Sequence, residues 1–250
     1  DNHYGLATEM LHERKLGLYA EAMGAALPTT ADALQDKGRV DIPMGEFWVR
    51  APGQGHTPEH PTDVREAASG AHIYGKTLVA VEAFTTGPPM SGWQPPSYLK
   101  SFADYYFAQG MNRIVFHTSD HQPFVDDKHK PGITLAVFGQ HYTRNNTWAE
   151  PAVAWNAYLS RCSYLLQQGQ FVGDLAYYYG EGAPATIPFW KKVRPEPPAG
   201  YNHDYVDTEV LLTRMSVKDG RIVLPDGMSY RVLVLPEDVD RLTPPVLRKI

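Results

Sequence analysis

The feature that most constrains this 250-residue chain is an alternation of short β-rich runs with amphipathic helical runs. Such alternation predicts parallel βα units, because a parallel strand pair needs a crossover long enough to hold a helix. Val40 to Val49 reads as a strand, Asp63 and Glu66 as a capping box opening a helix that ends near Gly75, and Leu78 to Phe84 as the next strand. After the Pro/Gly-rich stretch Gly87 to Pro96, Ser97 is the expected N-cap of a helix whose Leu99, Phe102, Ala103, Tyr106 and Phe107 share one face. Arg113 to His117 and Ile133 to Phe138 read as a third and a fourth strand, separated by a polar loop too long for a mere connector. A helix from about Trp148 to Gln168 follows, with Gly169 as its stop.

Beyond Gly169 the pattern changes. Phe171 to Tyr179 reads as a strand, Ala183 to Gly200 as a Pro-rich loop, and Tyr205 to Met215 as a helix. Asp219-Gly220 and Asp226-Gly227 signal turns, Arg231 to Leu235 a buried parallel strand, and Arg241 to Ile250 a helix opened by Thr243 and two prolines. The expected fold is α/β. Residues 1–169 read as the later half of a (β/α)8 TIM-type barrel, and residues 170–250 as part of a doubly wound α/β domain. A single open α/β sheet is the alternative. The barrel is preferred because every expected strand ends in polar functional residues, and catalytic groups cluster at the carboxyl ends of barrel strands.

Composition narrows the function. With 28 acidic against 23 basic side chains and no basic block, the chain offers no footprint for nucleic acid. No apolar run approaches the roughly 20 residues that span a bilayer, so membrane insertion is not expected. The single cysteine, Cys162, allows neither an internal disulfide nor a cysteine zinc site. A start at Asp1 and an end at Ile250 inside a helical pattern suggest a segment of a longer polypeptide. Many of the 15 Tyr and 5 Trp stand beside His, Asn and Gln, which suits a polar ligand such as a sugar as well as it suits a large core.

Five places hold candidate chemistry. Glu46, in Met44-Gly-Glu-Phe-Trp48, is flanked by apolar groups that would desolvate it and raise its pKa, as a general acid requires; pairing with a core arginine is the structural alternative. Glu82, in an otherwise apolar strand, is either catalytic, an orienting group, or paired with Arg65 or Lys76. The third and fourth strands lead to His117, Asp120 and His121 and to Gln140 and His141. The run Gln140 to Glu150 packs His141, Arg144, Asn145, Asn146, Trp148 and Glu150 together, a density of hydrogen-bonding groups suited to a polyhydroxylated ligand. Glu181 lies between two glycines after a strand, where the backbone approaches a ligand or simply turns. No Gly-x-Ser-x-Gly elbow, P-loop or dinucleotide fingerprint is present, and the histidine spacing matches no zinc signature.

The strings DIPMGEFW, REAASGAHIYGK, VEAFT, RIVFHTSDHQP, FGQHYTRNNTWAE, SRCSYLLQQGQFVGDLAYYYGEGAP and LPDGMSYRVLVLP, taken in order, resemble the α-L-rhamnosidases of glycoside hydrolase family 106 from about Gly17 to Ile250. The resemblance implies a large, exported, multidomain bacterial enzyme with a (β/α)8 catalytic barrel and a following amidotransferase-like domain. It further implies hydrolysis of terminal α-L-rhamnosyl groups with inversion and a calcium ion engaging the sugar hydroxyls. By motif, Glu46 resembles the general acid and Glu181 the general base, with Glu150 assisting and Glu82 competing for either role. His117, Asp120, His121, His141, Arg144, Asn145 and Trp148 are the expected sugar-binding residues; the ligands of the calcium ion are not assigned. The expected partners are a carbohydrate bearing terminal rhamnose and the remaining domains of the same polypeptide. A non-catalytic carbohydrate-binding barrel, or a barrel glycosidase of other specificity such as a β-galactosidase, is the alternative.

Overall fold

A computed structural model describes residues 1–21, 31–50, 61–90, 92–187, 194–237 and 241–250. In chain order the elements are α1 (Tyr4–His12), β1 (Tyr19–Ala20), α2 (Ala33–Arg39), β2 (Ile42–Trp48), α3 (Pro61–Ile73), β3 (Ala80–Thr85), α4 (Pro96–Ala108), β4 (Arg113–Phe116) and α5 (Ala152–Leu166). They continue with β5 (Leu175–Tyr178), β6 (His203–Val206), α6 (Thr208–Thr213), β7 (Ser216–Lys218), β8 (Arg221–Val223), β9 (Ser229–Tyr230), β10 (Val232–Val234) and α7 (Pro244–Lys249). Strands β1-β2-β3-β4 form one parallel sheet, β10-β5-β6 a second, and β7-β8-β9 an antiparallel meander. The α/β class with parallel sheets is therefore as the sequence pattern predicts. Among the described residues no helix is long and apolar enough to cross a membrane.

One core lies between the first sheet and helices α4 and α5. Leu99, Phe102, Ala103, Tyr106 and Phe107 of α4 are buried on a single face, and Trp155 and Leu159 of α5 join them. Phe47 of β2 stacks on Tyr106 at 4.0 Å and meets Phe84 edge-on at 5.1 Å. Burying each such ring contributes on the order of 1.5–3 kcal/mol, so this aromatic layer fixes the sheet's position relative to its helices.

Helix α3 joins the two sheets. Its Val64 packs against β2 and β3, while its Ile73, with Leu34 of α2, enters the core built on Leu175, Ala176, Tyr178, Val206 and Tyr230. Ser69 donates to Oδ1 of the buried Asp204 in β6 at 3.1 Å, and His72 Nδ1 lies 2.9 Å from the same oxygen. The strands divide between residues 1–169 and 170–250, yet α2 and α3 enter the second core through Leu34 and Ile73, and α3 enters the first through Val64.

Several local expectations are corrected. Ile133 to Phe138 forms no strand: Ile133 makes one bridge to His121, Leu135 and Val137 are exposed, and Ala136 and Gly139 adopt positive φ. Gln140 and His141 consequently follow no strand; Gln140 instead pairs through its backbone with His117 and Thr118. The segment Tyr205 to Met215 divides into the end of β6 and the short α6, with Asp207 accepting from the Val210 amide between them. Strand β10 is parallel but lies at a sheet edge, where Val232 is half exposed. Pro95, not Ser97, is the N-cap of α4. Asp63 and Glu66 form no capping box: Asp63 accepts from the Glu46 amide, and Glu66 accepts from the Thr186 hydroxyl and the Ile187 amide.

Candidate active site

Parallel strands direct successive side chains to alternate faces, so like-phased residues on neighbouring strands stand side by side. Glu46 on β2 and Glu82 on β3 are register partners. The register then slips by one residue before Trp48 pairs with Thr85. Phe84 absorbs the extra residue at φ +70°, a costly conformation for a bulky side chain. The bulge lets Thr85, three positions after Glu82, donate its hydroxyl to Glu82 Oε1 at 3.0 Å, where regular alternation would place the two on opposite faces. Thr85 also lies 3.2 Å from His117 Nδ1, itself 3.8 Å from Glu82 Oε1.

A third carboxylate arrives from α3. Gly45 permits this, since a Cβ there would stand 2.7 Å from the Asp63 carbonyl oxygen. With helix and strand in such close approach, Asp63 Oδ2 accepts from the Glu46 amide at 2.7 Å. The fourth is Glu21, directly after β1; its carbonyl oxygen accepts from the ammonium of the fully buried Lys37, which faces Glu66 at 3.8 Å.

Two of these carboxyls are raised above their ordinary range. Burial, then the charges of Asp63 and Glu21, push Glu46 from 4.5 to about 7; Trp48 opposes the rise and Glu82 adds to it. Burial followed by Glu82 and Asp63 raises Glu21, against the pull of Lys37. Near neutral pH Glu46 is therefore an available proton donor among carboxylates, at the carboxyl end of a parallel sheet.

The remaining candidates fall into separate places. Asp120 and His141 are both buried and pair at 3.0 Å through His141 Nδ1, one backbone step from the His117–Gln140 pairing. Arg144 is exposed and donates to the Phe124 carbonyl at 2.6 Å, and the Asn145 side chain donates to that of Pro131 at 3.4 Å. Trp148 packs in the core, edge-on to Tyr142 at 5.4 Å. His121 is exposed, as is Glu150 just before α5. The Glu181 carboxylate accepts from both the amide and the hydroxyl of Thr243, at 2.6 Å each, at the start of α7. Among the described residues no group of three or more His, Cys, Asp or Glu is placed to hold a metal ion.

Sequence reasoning missed Glu21, and Asp63 as a neighbour of Glu46. A two-residue strand before Glu21 leaves no periodicity to read. Asp63 carries a helix-start signature that conceals its reach toward β2.

The family model described as alpha-L-rhamnosidase, glycoside hydrolase family 106, matches residues 1–250. A solved structure titled as a rhamnosidase from Novosphingobium sp. PP1Y superposes with a TM-score of 0.88 at 37% identity, covering 99% of this chain and 23% of that one. A curated protein of Formosa agariphila named "Putative beta-glucuronidase" is 32% identical over 250 residues, covering all of this chain and 20% of the relative. The chain thus spans about a fifth of the length of these relatives.

Proposed function

This chain belongs to the α-L-rhamnosidase family, glycoside hydrolase family 106, and on that premise we propose that it supplies the proton-donating part of a site hydrolysing terminal α-L-rhamnosyl bonds with inversion. Glu46 protonates the departing oxygen. The observation that carries this reading is the half-buried Glu46, raised to about 7 among Asp63, Glu21 and Glu82. Glu181, by resemblance, activates water from the opposite side of the sugar, its orientation fixed by the two bonds from Thr243. Glu150 assists. Inversion requires the two carboxyls to stand roughly 6.5–9.5 Å apart. His117 and the Asp120–His141 pair line the sugar, and Arg144, Asn145, His121 and Trp148 shape the surrounding loop.

The sheet's edges at β1 and β4 close, in this reading, into a (β/α)8 barrel with strands from the rest of a longer, exported protein. Calcium engaging the sugar hydroxyls is part of this reading by resemblance alone. The glucuronyl specificity in one relative's name fits less well: a glycone bearing its own carboxylate would meet the repulsion of the carboxylates around Glu46. A neutral rhamnosyl ring does not.

A second reading rests on register. Neighbouring strands lie about 4.8 Å apart, close to the roughly 5–5.5 Å that separates the carboxyls of retaining glycosidases. Glu82 would then be a nucleophile. Proton NMR of sugar released by the whole protein from an aryl α-L-rhamnoside tests both: β-L-rhamnose appearing first supports inversion, α-L-rhamnose first supports Glu82. Absence of turnover on any α-L-rhamnoside would overturn the proposed activity.

A further inference from the structure

Trp93 belongs to the loop between β3 and α4, on the carboxyl-end side of the first sheet, and its residue is 37% exposed. Its ring stacks on His141 with centroids 4.3 Å apart at 30°. His141 is in turn fixed from below, its Nδ1 against both oxygens of the buried Asp120 at 3.1 and 3.0 Å. The backbone holds the same arrangement, because the His141 amide donates to the Gly92 carbonyl at 2.7 Å. Gly92 has φ +75°, and a Cβ there would lie 2.4 Å from the Gly139 carbonyl oxygen, so the loop fits this closely only with glycine before Trp93.

An indole with one face on a rigid imidazole and substantial exposed surface is preorganised to receive a flat apolar face. A short chain of contacts links the shelf to the carboxylate group: Gln140, adjacent to His141, donates its amide to the His117 carbonyl at 2.8 Å, and His117 Nδ1 is 3.8 Å from Glu82. We infer that Trp93, supported by His141 and Asp120, is the stacking platform for the leaving group, taking the apolar face of a second sugar ring or of an aromatic aglycone. This rests on the rhamnosidase reading above.

The test compares the whole protein with its Trp93→Ala and Trp93→Phe variants on α-L-rhamnosyl fluoride, which has no leaving-group ring, on an aryl α-L-rhamnoside, and on a rhamnosyl-glucose disaccharide. For Trp93→Ala the ratio of kcat/KM on a ringed substrate to kcat/KM on the fluoride should fall about three- to ten-fold, the scale of one aromatic stacking interaction. Trp93→Phe should recover most of that ratio. A fall confined to the aryl substrate assigns the platform to aromatic aglycones, and one confined to the disaccharide assigns it to sugars. Equal losses on all three substrates would mark Trp93 as merely structural, for instance covered by another part of the protein, and would overturn the inference, as would an unchanged ratio. A wild-type protein inactive on all three would overturn the rhamnosidase reading and this inference with it.

Discussion

Glu46 and Glu82 face one another across adjacent parallel strands, each the other's register partner, with the bulge at Phe84 beginning directly beyond them. The pairing gives the sheet two carboxyls on one face at about one strand spacing. Burial, then the charges of Asp63 from α3 and of Glu21 from the end of β1, raise Glu46 to about 7.

Asp63→Asn keeps an oxygen that can accept from the Glu46 amide but removes the larger of the neighbouring charges acting on Glu46. Glu46 serves as an acid only while protonated, so activity is lost as pH rises through its pKa of about 7. With that charge gone Glu46 ionises more readily, and the alkaline limb of kcat/KM should move to lower pH by roughly one unit or less. Glu82→Gln should move it the same way by less. An alkaline limb that stays in place in both variants would show that Glu46 does not set it.

Gly45→Ala tests the close approach of helix and strand. The added Cβ meets the Asp63 carbonyl oxygen at 2.7 Å, so α3 must withdraw from β2. A loss of about 1–3 kcal/mol in unfolding free energy is expected, as for other overpacked sites. The Asp63 bond to Glu46 should weaken with it, lowering kcat more than KM changes. Denaturant melts and steady-state kinetics on the same preparation provide both readings.

The buried Glu66 predicts a stability-pH signature. Burial raises it from 4.5 to about 7, with Lys37 opposing the rise. Its folded pKa exceeds its unfolded one, so the native state holds the extra proton between these values and stability falls as pH rises across that window. Glu66→Gln removes this dependence. The stability of the wild type relative to the variant should therefore decline from about pH 4.5 to about 7 and level off above, as measured by urea unfolding in a pH series. A constant difference would contradict the assignment.

The longer elements were legible because burial and period agree: Leu99, Phe102, Ala103, Tyr106 and Phe107 form the buried face of α4, β2 and β4 lie within the runs read as strands, and β3 runs one residue past its own. The run Ile133 to Phe138 looked equally strand-like. Side-chain alternation does not reveal whether a partner strand exists, and here only His121 bridges to Ile133. Glu46 and Glu82 stood out as carboxylates in apolar runs. Glu21 and Trp93 did not, since one follows a two-residue strand and the other depends on His141, 48 positions away in the chain. Arg144 and Asn145, expected to bind sugar, donate to the carbonyls of Phe124 and Pro131, contacts that the sequence alone does not reveal.

The most direct test of the account is the leaving-group dependence of Glu46→Gln in the whole protein. A general acid matters most where the departing oxygen is a poor leaving group, and contributes about 10²–10⁴-fold there. The variant should lose that factor in kcat/KM on rhamnosyl disaccharides and far less on dinitrophenyl α-L-rhamnoside, whose phenolate departs without a proton. Equal losses across the series, or full activity on the disaccharide, would contradict the assignment of Glu46 as the proton donor.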